Sequence, residues 1–342
     1  MIYIDTRSED IAYNLAAELY FATEKLPGED AFFMWRVTPT LVIGKYQNAL
    51  EEIDAAYARE HGISVARRLS GGGTVYLDRG GWQFAFVTDS APGASGSSDS
   101  PGSNSGSDGA AIEFSRFVTP IVAALRQIGV NAELTGRNDI AVGGRKICGN
   151  AQYRIKNRTV HHGCMLFDTD IDELVRATTP KAYKIESKAV ASVRERVVNV
   201  KDVLPPERAG MTAEQFRDEI VFRVAHRRYE ITPQDRARIE ALADERFRAE
   251  RLLYTLAPKF EMEKVVRTAG GAFHIGLTVK NGKILSCGVS GDFFGAPDAA
   301  ERIGDALTGA DYTPSAVREI LSRFDGLLFR ADAEELTRGL FE

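Results

Sequence analysis

Residues 136–168 read GRNDIAVGGRKICGNAQYRIKNRTVHHGCMLFD. Short apolar runs in this stretch are separated by two turn signals, Gly143-Gly144 and Lys156-Asn157. Dipeptides of this kind between β-prone segments are typical of tight hairpin turns. The stretch therefore predicts three consecutive antiparallel strands, a β-meander around which the other elements pack.

Periodicity predicts further strands and several helices on both sides of the meander. Strands are expected at 32–37, 40–46, 63–70 and 82–89, and helices at 8–22, 51–62, 112–129, 172–179, 212–229 and 233–253. The weak alternation of 82–89 indicates a strand that is buried on both faces. A last block, 260–342, has two strands around Asn281-Gly282 and helices at 298–307 and 314–324, so it can close a small second core.

Length and composition set the class of protein. A chain of 342 residues predicts two domains, and 44% hydrophobic and 27% charged residues are typical of a soluble globular protein. The formal net charge of −5 argues against a nucleic-acid binder, which would need a basic surface. We expect no signal peptide and no membrane span, because no long apolar run is present. Three cysteines without CxxC spacing argue against disulfides and structural zinc, so we expect a cytoplasmic protein.

Residues 91–111, APGASGSSDSPGSNSGSDGAA, contain almost only small and polar residues. Such a segment cannot bury enough apolar surface to offset its ordering entropy. We expect a flexible loop inside one domain, because helical and strand patterns resume directly after it. A linker between two domains is the alternative.

The stretch RRLSGGGTVY at 67–76 brings three consecutive glycines behind two arginines. It lies between predicted strands, whereas Walker A and Rossmann glycine loops need a helix directly behind them. Its bare N–H groups favour an anion-binding nest or a surface along which a ligand lies, and Arg68 offers a planar fork for carboxylate or phosphate. An ordinary β-turn with incidental glycines is the alternative.

Two polar sites in the meander are candidate ligand-binding positions. Asp139 can hold Mg²⁺ through one carboxylate while phosphate oxygens and waters complete the shell, with an Asx turn as the alternative. Lys146 is an effective point charge for a developing oxyanion or a phosphate, with a solvated strand lysine as the alternative. Together with Asn138 and the glycine loop, these groups suit a protein that binds a carboxylate beside a nucleoside triphosphate and joins them.

Histidines and cysteines raise two rival chemistries. His161 and His162 point to opposite faces of a strand, so at most one faces a site and the pair cannot share a metal ion. Cys148 and Cys164 can in principle carry a thioester, but no acid–histidine arrangement of obvious triad type accompanies them. Two small buried thiols in adjacent strands are the alternative.

With these residues assembled, the chain resembles the lipoate-protein ligase A family. The resemblance rests on RRLSGGGTVYLD, GRNDIAVGGRKICGNAQY, VHHGCMLFD and KIESKAVASVRERVVNV, and on GDFFG with the two helices after it. It implies an α+β fold: a mixed sheet with flanking helices, shared with biotin protein ligases and class II aminoacyl-tRNA synthetases, plus a small α/β C-terminal domain. We expect the catalytic domain at 1–250 and the accessory domain at 258–342.

The resemblance also implies a two-step reaction. Lipoic acid and ATP, with Mg²⁺, give lipoyl-AMP and pyrophosphate, and the lipoyl group then passes to a lysine of a lipoyl-domain protein. The implied acceptors are E2 subunits of 2-oxoacid dehydrogenases and the glycine cleavage H protein, and the implied enzyme is a monomer. Lipoyl domains of this family's system are generally acidic around the target lysine, so we expect basic docking residues at 154–158 and 181–196.

Each implied site residue matches a motif of the family. Lys146 would be the catalytic group that touches both the carboxylate and the α-phosphate, and Asn138 and Asp139 would serve the Mg²⁺-phosphate end. The glycine loop divides into two sets. Along the lipoyl chain would lie Ser70, Gly71 and Gly72, and in contact with ATP would be Arg68, Gly73, Thr74, Val75 and Tyr76.

The chain departs from the family pattern at several positions. Leu77 stands where the family usually has histidine, asparagines expected around Gly81 and Gln83 are absent, and Cys148 and Cys164 replace the usual threonine or serine. Two alternatives therefore stay open. One is a lipoyl or octanoyl amidotransferase that uses a cysteine thioester without ATP, and the other is a lipoate-binding homologue without catalytic activity.

Overall fold

The computed structural model describes residues 1–25, 28–47, 52–90, 113–136, 138–178, 195–248 and 260–341. The strands are β1 Ile2–Ile4, β2 Ala31–Trp35, β3 Thr40–Ile43, β4 Ser64–Arg67, β5 Val75–Leu77, β6 Gly81–Asp89, β7 Glu133–Thr135, β8 Asp139–Val142, β9 Arg145–Ile155, β10 Arg158–Leu166, β11 Arg227–Tyr229, β12 Met262–Thr268, β13 Gly271–Lys280 and β14 Lys283–Phe293. The helices are α1 Ile11–Thr23, α2 Ala55–Glu60, α3 Phe114–Gln127, α4 Ile171–Ala177, α5 Ala213–Val224, α6 Pro233–Ala243, α7 Ala299–Leu307, α8 Pro314–Leu321 and α9 Ala333–Phe341. Within the described ranges, no helix is both long enough and apolar enough to cross a membrane.

Eight of the described strands form one mixed sheet in the order β11-β1-β2-β6-β10-β9-β8-β7. β1 runs parallel to both of its neighbours, and the remaining pairs are antiparallel. β8, β9 and β10 are the predicted meander, and Gly143, Gly144 and Lys156 take the positive φ angles that tight turns need. Two three-stranded sheets, β4-β3-β5 and β12-β13-β14, complete the described strands. The predicted α+β class is confirmed.

Helices cover both faces of the large sheet. On one face α3 and α5 pack against Phe84 and Phe86, and on the other α1 and α6 pack against Ala85 and Val87. β6 is therefore buried on both faces along almost its whole length, as its weak alternation predicted. A separate core, built mainly from residues 262–341, surrounds Phe273.

Several regions differ from the sequence predictions. The helix predicted over 212–229 ends at Val224, and Arg227–Tyr229 form β11, which pairs in parallel with β1. Local periodicity does not reveal this strand, because its partner lies at the other end of the sequence. The strands predicted at 32–37 and 40–46, which the sequence joins by a turn at Pro39, are β2 and β3 and lie in different sheets. The predicted loop at 91–111 lies outside the described residues.

Asp235, at the start of α6, holds α1 in place. Its buried carboxylate accepts hydrogen bonds from the Tyr20 hydroxyl of α1 at 2.7 Å and from the Tyr229 hydroxyl of β11 at 2.7 Å. The Thr232 N–H and hydroxyl donate to it at 2.9 and 2.8 Å. Burial alone would raise the pKa of Asp235, but these bonds stabilise the charged form and hold the pKa well below its usual value. One carboxylate thus ties together three elements.

We expect Asp235→Asn to lower the free energy of unfolding by about 1–3 kcal/mol at pH 7, because an amide cannot accept all of these bonds. The folded-state pKa of Asp235 is depressed, so its stabilisation is present above the unfolded pKa of about 3.9 and is lost as the pH falls below that value. The difference between the variant and the wild type should therefore narrow at pH 3. Denaturant unfolding at both pH values measures this.

Asp244→Asn is the matched control, because Asp244 is an exposed carboxylate at the other end of the same helix. It should change the unfolding free energy by less than about 0.5 kcal/mol. Equal losses in the two variants, or a loss in Asp235→Asn that is the same at pH 7 and pH 3, would contradict the role given to Asp235.

Candidate active site

A cavity of about 310 Å³ lies where α1, the large sheet, the β4-β3-β5 sheet and the end of β14 meet. Its apolar lining comes mainly from α1, β2, β3 and β5 and includes Ile11, Leu15, Trp35, Val42, Val75 and Leu77. Its polar lining comes mainly from the glycine loop, β8, β9 and β14 and includes Arg68, Asn138, Asp139, Lys146, Asn150 and Asp292. A ligand with an apolar chain and a charged head matches this division.

The cavity brings together seven of the predicted site residues. They are Arg68, Gly73, Thr74, Val75, Asn138, Asp139 and Lys146. The other four, Ser70, Gly71, Gly72 and Tyr76, lie outside its lining. The Tyr76 side chain is buried in a different cluster, against Leu41 and Ile43, so only its main chain remains available to a ligand.

Lys146 projects from β9 and forms an ion pair with Asp139. Its Nζ lies 2.8 Å from Asp139 Oδ1, and the lysine side chain is 38% exposed. A Cβ at Gly149 would lie 2.8 Å from the same Nζ, so glycine is what leaves room for the ammonium group. Burial acts to lower the pKa of Lys146, but the charge of Asp139 and the nearby Cys164 outweigh it and raise the pKa above its usual value. Lys146 is therefore protonated at neutral pH.

Asn138 and Asn150 fix the position of Asp139. Asn150 Nδ2 donates to the Asn138 carbonyl at 2.9 Å, and Asn138 Nδ2 donates to the Asn150 carbonyl. The Asn150 N–H also donates to the Asn138 carbonyl at 3.0 Å. These bonds hold Asn138 against β9, so the Asn138 side chain positions the neighbouring acid.

Arg68 is buried under the glycine loop. Its Nε donates to Ser70 Oγ at 3.1 Å and its Nη1 to the Val42 carbonyl at 2.9 Å. Its Nη2 donates to the carbonyls of Gly71 and Gly73 at 2.9 and 2.7 Å. Four of the five guanidinium N–H groups are thus used inside the protein. Arg68 does not present the open fork that the sequence predicted, and instead it shapes the loop. Burial lowers its pKa to about 10, so the charge persists at neutral pH.

Close approaches explain the run of glycines. A Cβ at Gly71 would lie 2.1 Å from the Phe293 carbonyl oxygen, and one at Gly72, whose φ is +91°, would lie 2.8 Å from the Phe294 ring. The Gly72 N–H donates to the Phe293 carbonyl at 2.9 Å. The end of β14 therefore covers this part of the loop. The prediction that a lipoyl chain lies along Ser70–Gly72 does not fit this packing, because the cavity runs past Gly73–Val75 instead.

A hydrogen-bonded chain that the sequence did not predict connects the loop to α1. The Ser70 hydroxyl lies 2.7 Å from His162 Nε2, and His162 Nδ1 lies 3.1 Å from the buried carboxylate of Glu18. Because a carboxylate only accepts, Nδ1 carries the proton that is donated to Glu18. Glu18 also accepts from Trp35 Nε1 at 3.2 Å. The one signal for this group in the sequence is an acid within the apolar stripe of the helix predicted at 8–22.

The two histidines face opposite sides of β10, as predicted. His162 lines the cavity, whereas His161 is fully buried and stacks on Phe117 with ring centroids 4.8 Å apart. Burial holds the pKa of His161 well below its usual value, so this ring is neutral. Among the described residues, no cluster of three or more histidine, cysteine or acidic side chains is arranged to hold a metal ion.

The cysteines separate into one buried and one cavity-lining thiol. Cys148 is completely buried, and burial raises its pKa far above the usual value, so it is a poor nucleophile. Cys164 lies in the cavity wall, on the strand next to Lys146. The alternative of a small buried thiol therefore fits Cys148. Cys164, by contrast, lines the cavity and can contact a bound ligand.

The last part of the chain completes the site. Asp292, near the end of β14, lies in the cavity wall, and a Cβ at Gly73 would be 3.1 Å from its Oδ2. Tyr46 ties β14 to the first part of the chain. Its ring stacks on Phe293 with centroids 4.7 Å apart, and its hydroxyl donates to the Ala296 carbonyl at 2.7 Å. Asp292 belongs to the GDFFG motif, but the sequence prediction placed that motif in the accessory domain and gave Asp292 no role in the site.

Comparisons with known proteins agree with this arrangement. The model of the lipoyl protein ligase A/B catalytic domain matches residues 10–225, and that of the bacterial lipoate protein ligase C-terminus matches residues 257–340. Lipoate-protein ligase LplJ of Bacillus subtilis (strain 168) is 38% identical over 330 residues, which cover 94% of this chain and 93% of that protein.

Two solved structures share the fold. The structure of P. falciparum LipL1 in complex with lipoate has a TM-score of 0.74 at 21% identity and covers 94% of this chain and 93% of its own. A structure of lipoate-protein ligase A bound with ATP has a TM-score of 0.57 at 25% identity and covers 75% of this chain and 98% of its own. The matches to both family models and the identity to LplJ over nearly the whole length show that this chain belongs to the lipoate-protein ligase family.

Proposed function

We propose that this protein is an ATP-dependent lipoate-protein ligase, which makes lipoyl-AMP in the cavity and transfers the lipoyl group to a lysine of a lipoyl-domain protein. The observation that carries the proposal is Lys146, paired with Asp139, in a cavity with one apolar and one polar lining. Family membership supports it, as do the lipoate and the ATP named in the two related structures. The proposal includes a catalytic domain at 1–250 and an accessory domain at 258–342.

In the first step a carboxylate oxygen of lipoate attacks the α-phosphorus of ATP. The bond from that phosphorus to pyrophosphate breaks, and pyrophosphate leaves with the electron pair. Lys146 belongs to the polar lining of the cavity, so its ammonium can neutralise the carboxylate on approach and the α-phosphate as charge builds on it. Asp139 keeps this ammonium protonated and fixed in place.

Asp139 is also our candidate for the Mg²⁺ ligand. Mg²⁺ in nucleotide sites is held by one or two carboxylates together with phosphate oxygens and waters, and the Asp139 carboxylate in the cavity wall fits that requirement. The main chain of Gly73, Thr74 and Val75 and the buried charge of Arg68 would face the nucleotide. Tyr76 would contribute main-chain contacts only.

In the second step the amine of the acceptor lysine attacks the carbonyl carbon of lipoyl-AMP. The bond from that carbon to the AMP oxygen breaks, and an amide forms. We propose E2 subunits and the glycine cleavage H protein as acceptors. Arg158 does not fit the predicted docking face, because its side chain is only 3% exposed and its guanidinium pairs with the exposed Asp89 carboxylate at 2.7 Å. Of the second predicted patch, residues 181–194 lie outside the described residues.

We expect Lys146→Ala to lower pyrophosphate release from ATP and lipoate by roughly 10²-fold or more, the scale of losing one oxyanion donor. Arg145→Ala is the matched control, since Arg145 is the exposed neighbour on the same strand and lies outside the cavity lining. A coupled assay without any acceptor protein measures the release. Near-normal release by a folded Lys146→Ala protein would contradict the assignment.

The thioester alternative is favoured by one observation, the position of Cys164 in the cavity wall. The ligase mechanism keeps the activated carbonyl on AMP, so we expect a Cys148→Ser, Cys164→Ser double variant to make lipoyl-AMP and transfer it within about threefold of the wild type, a change of less than 1 kcal/mol. Intact-protein mass spectrometry during turnover reports any acyl adduct. Loss of transfer in the variant, with a lipoyl adduct trapped on a wild-type cysteine, would establish the amidotransferase instead.

A further inference from the structure

Gln83, on β6, is a buried amide in the wall of the cavity. It is 3% exposed, and among the described residues neither its Nε2 nor its Oε1 has a hydrogen-bond partner. A buried amide without partners is costly, and native proteins rarely keep one without a reason. Because Gln83 also lines a cavity, a bound ligand can supply the missing partner.

Strand pairing places Gln83 in a row that leads to Lys146. Trp35 of β2 lies opposite Gln83, Gln83 lies opposite Cys164 of β10, and Cys164 lies opposite Gly149 of β9. All four residues line the cavity, and Gly149 is the residue directly beside Lys146 Nζ. Directly opposed residues share one face of a sheet, so the row forms a continuous wall from the ammonium group to the indole.

The row sets a length for the ligand. Neighbouring strands lie about 4.8 Å apart, so Gln83 is about 10 Å across the sheet from Gly149. Lipoate is an eight-carbon acid whose ring disulfide joins carbons 6 and 8. Five extended carbon–carbon bonds of about 1.5 Å each lead from the carboxyl carbon to carbon 6, and with the five-membered ring the molecule spans on the order of 9 Å. With the carboxylate at Lys146, the ring sulfurs therefore reach Gln83, and Trp35 stands beyond them.

We propose that Gln83 determines which acyl acid the site prefers, by hydrogen bonding to a polar atom at carbons 6 to 8 of the chain. This inference rests on the proposed function and specifies the substrate of the same site. A ring sulfur can accept from the amide N–H, although weakly. An unsubstituted chain such as octanoate leaves both amide atoms unsatisfied in a pocket from which it has displaced water. The site therefore selects lipoate over octanoate.

Equilibrium binding of three acids to the full-length chain tests the proposal without any need for ATP. The acids are lipoate, octanoate and 8-hydroxyoctanoate, and the third separates hydrogen bonding from the shape of the ring. We expect the wild type to bind lipoate and 8-hydroxyoctanoate each about tenfold more tightly than octanoate, the effect of satisfying one buried polar group. In Gln83→Leu both preferences should fall to within about twofold, mainly because octanoate binds more tightly.

Gln152→Leu is the matched control. Gln152 is also 3% exposed with an amide oxygen that has no partner among the described residues, but it lies outside the cavity lining. Its variant should keep the wild-type preferences. If Gln83→Leu does not fold, Gln83→Met supplies an unbranched side chain of the same length, and the same loss of preference is expected.

The possible outcomes separate this inference from the proposed function. Unchanged preferences in a folded Gln83 variant, or an equal change in Gln152→Leu, overturn the role of Gln83 alone. Acid-dependent pyrophosphate release by the wild type upholds the proposed function in that case. If the acids bind but no pyrophosphate is released, the proposed ligase function is overturned. The binding preference for lipoate and 8-hydroxyoctanoate over octanoate still decides the role of Gln83. No binding of any of the three acids overturns both.

Discussion

The burial of one guanidinium group is the constraint on which the site depends. A charge removed from water is tolerated only when hydrogen bonds replace those it loses, and Arg68 finds them in the carbonyls of Val42, Gly71 and Gly73. These carbonyls must point inward, so the loop wraps tightly around the arginine and comes within contact of β14, where side chains at 71 and 72 would collide with Phe293 and Phe294. The consecutive glycines follow from that packing. Through Ser70 and His162, the same network reaches Glu18 and fixes α1 against the loop.

The cavity inside this framework has one apolar and one polar lining. Its titratable amine, Lys146, is held in the protonated form. Asp139 keeps Lys146 charged, and the bonds between Asn138 and Asn150 keep Asp139 in place. The last part of the chain, residues 262–341, contributes directly to the site. Asp292 lies in the cavity wall, and the Phe293 carbonyl accepts a hydrogen bond from the Gly72 N–H. A carboxylate and a nucleotide brought together here would meet a preorganised positive charge, which is the main requirement for joining them.

Local sequence pattern was sufficient for features that depend on neighbouring residues. The turns at Gly143-Gly144 and Lys156-Asn157, the doubly buried β6 and the opposite directions of His161 and His162 all follow from short-range geometry. Features set by distant partners could not be predicted in this way. β11 forms because it pairs with β1. Arg68 donates hydrogen bonds to main-chain carbonyls of the loop, and the Tyr76 side chain packs in a different hydrophobic cluster. The position of Gln83 in the cavity wall follows only from the strand register, which places it in a row with Gly149.

In the proposed reaction, the cavity joins a carboxylate oxygen of lipoate to the α-phosphorus of ATP. Lipoate labelled with oxygen-18 in its carboxylate tests this directly when the chain is given ATP and a lipoyl-domain acceptor. Attack by the carboxylate on phosphorus carries one labelled oxygen into AMP when the amide forms, so mass spectrometry of the released AMP should show one oxygen-18 per molecule. Lipoylated acceptor accompanied by unlabelled AMP, or formed without any AMP, would contradict the account.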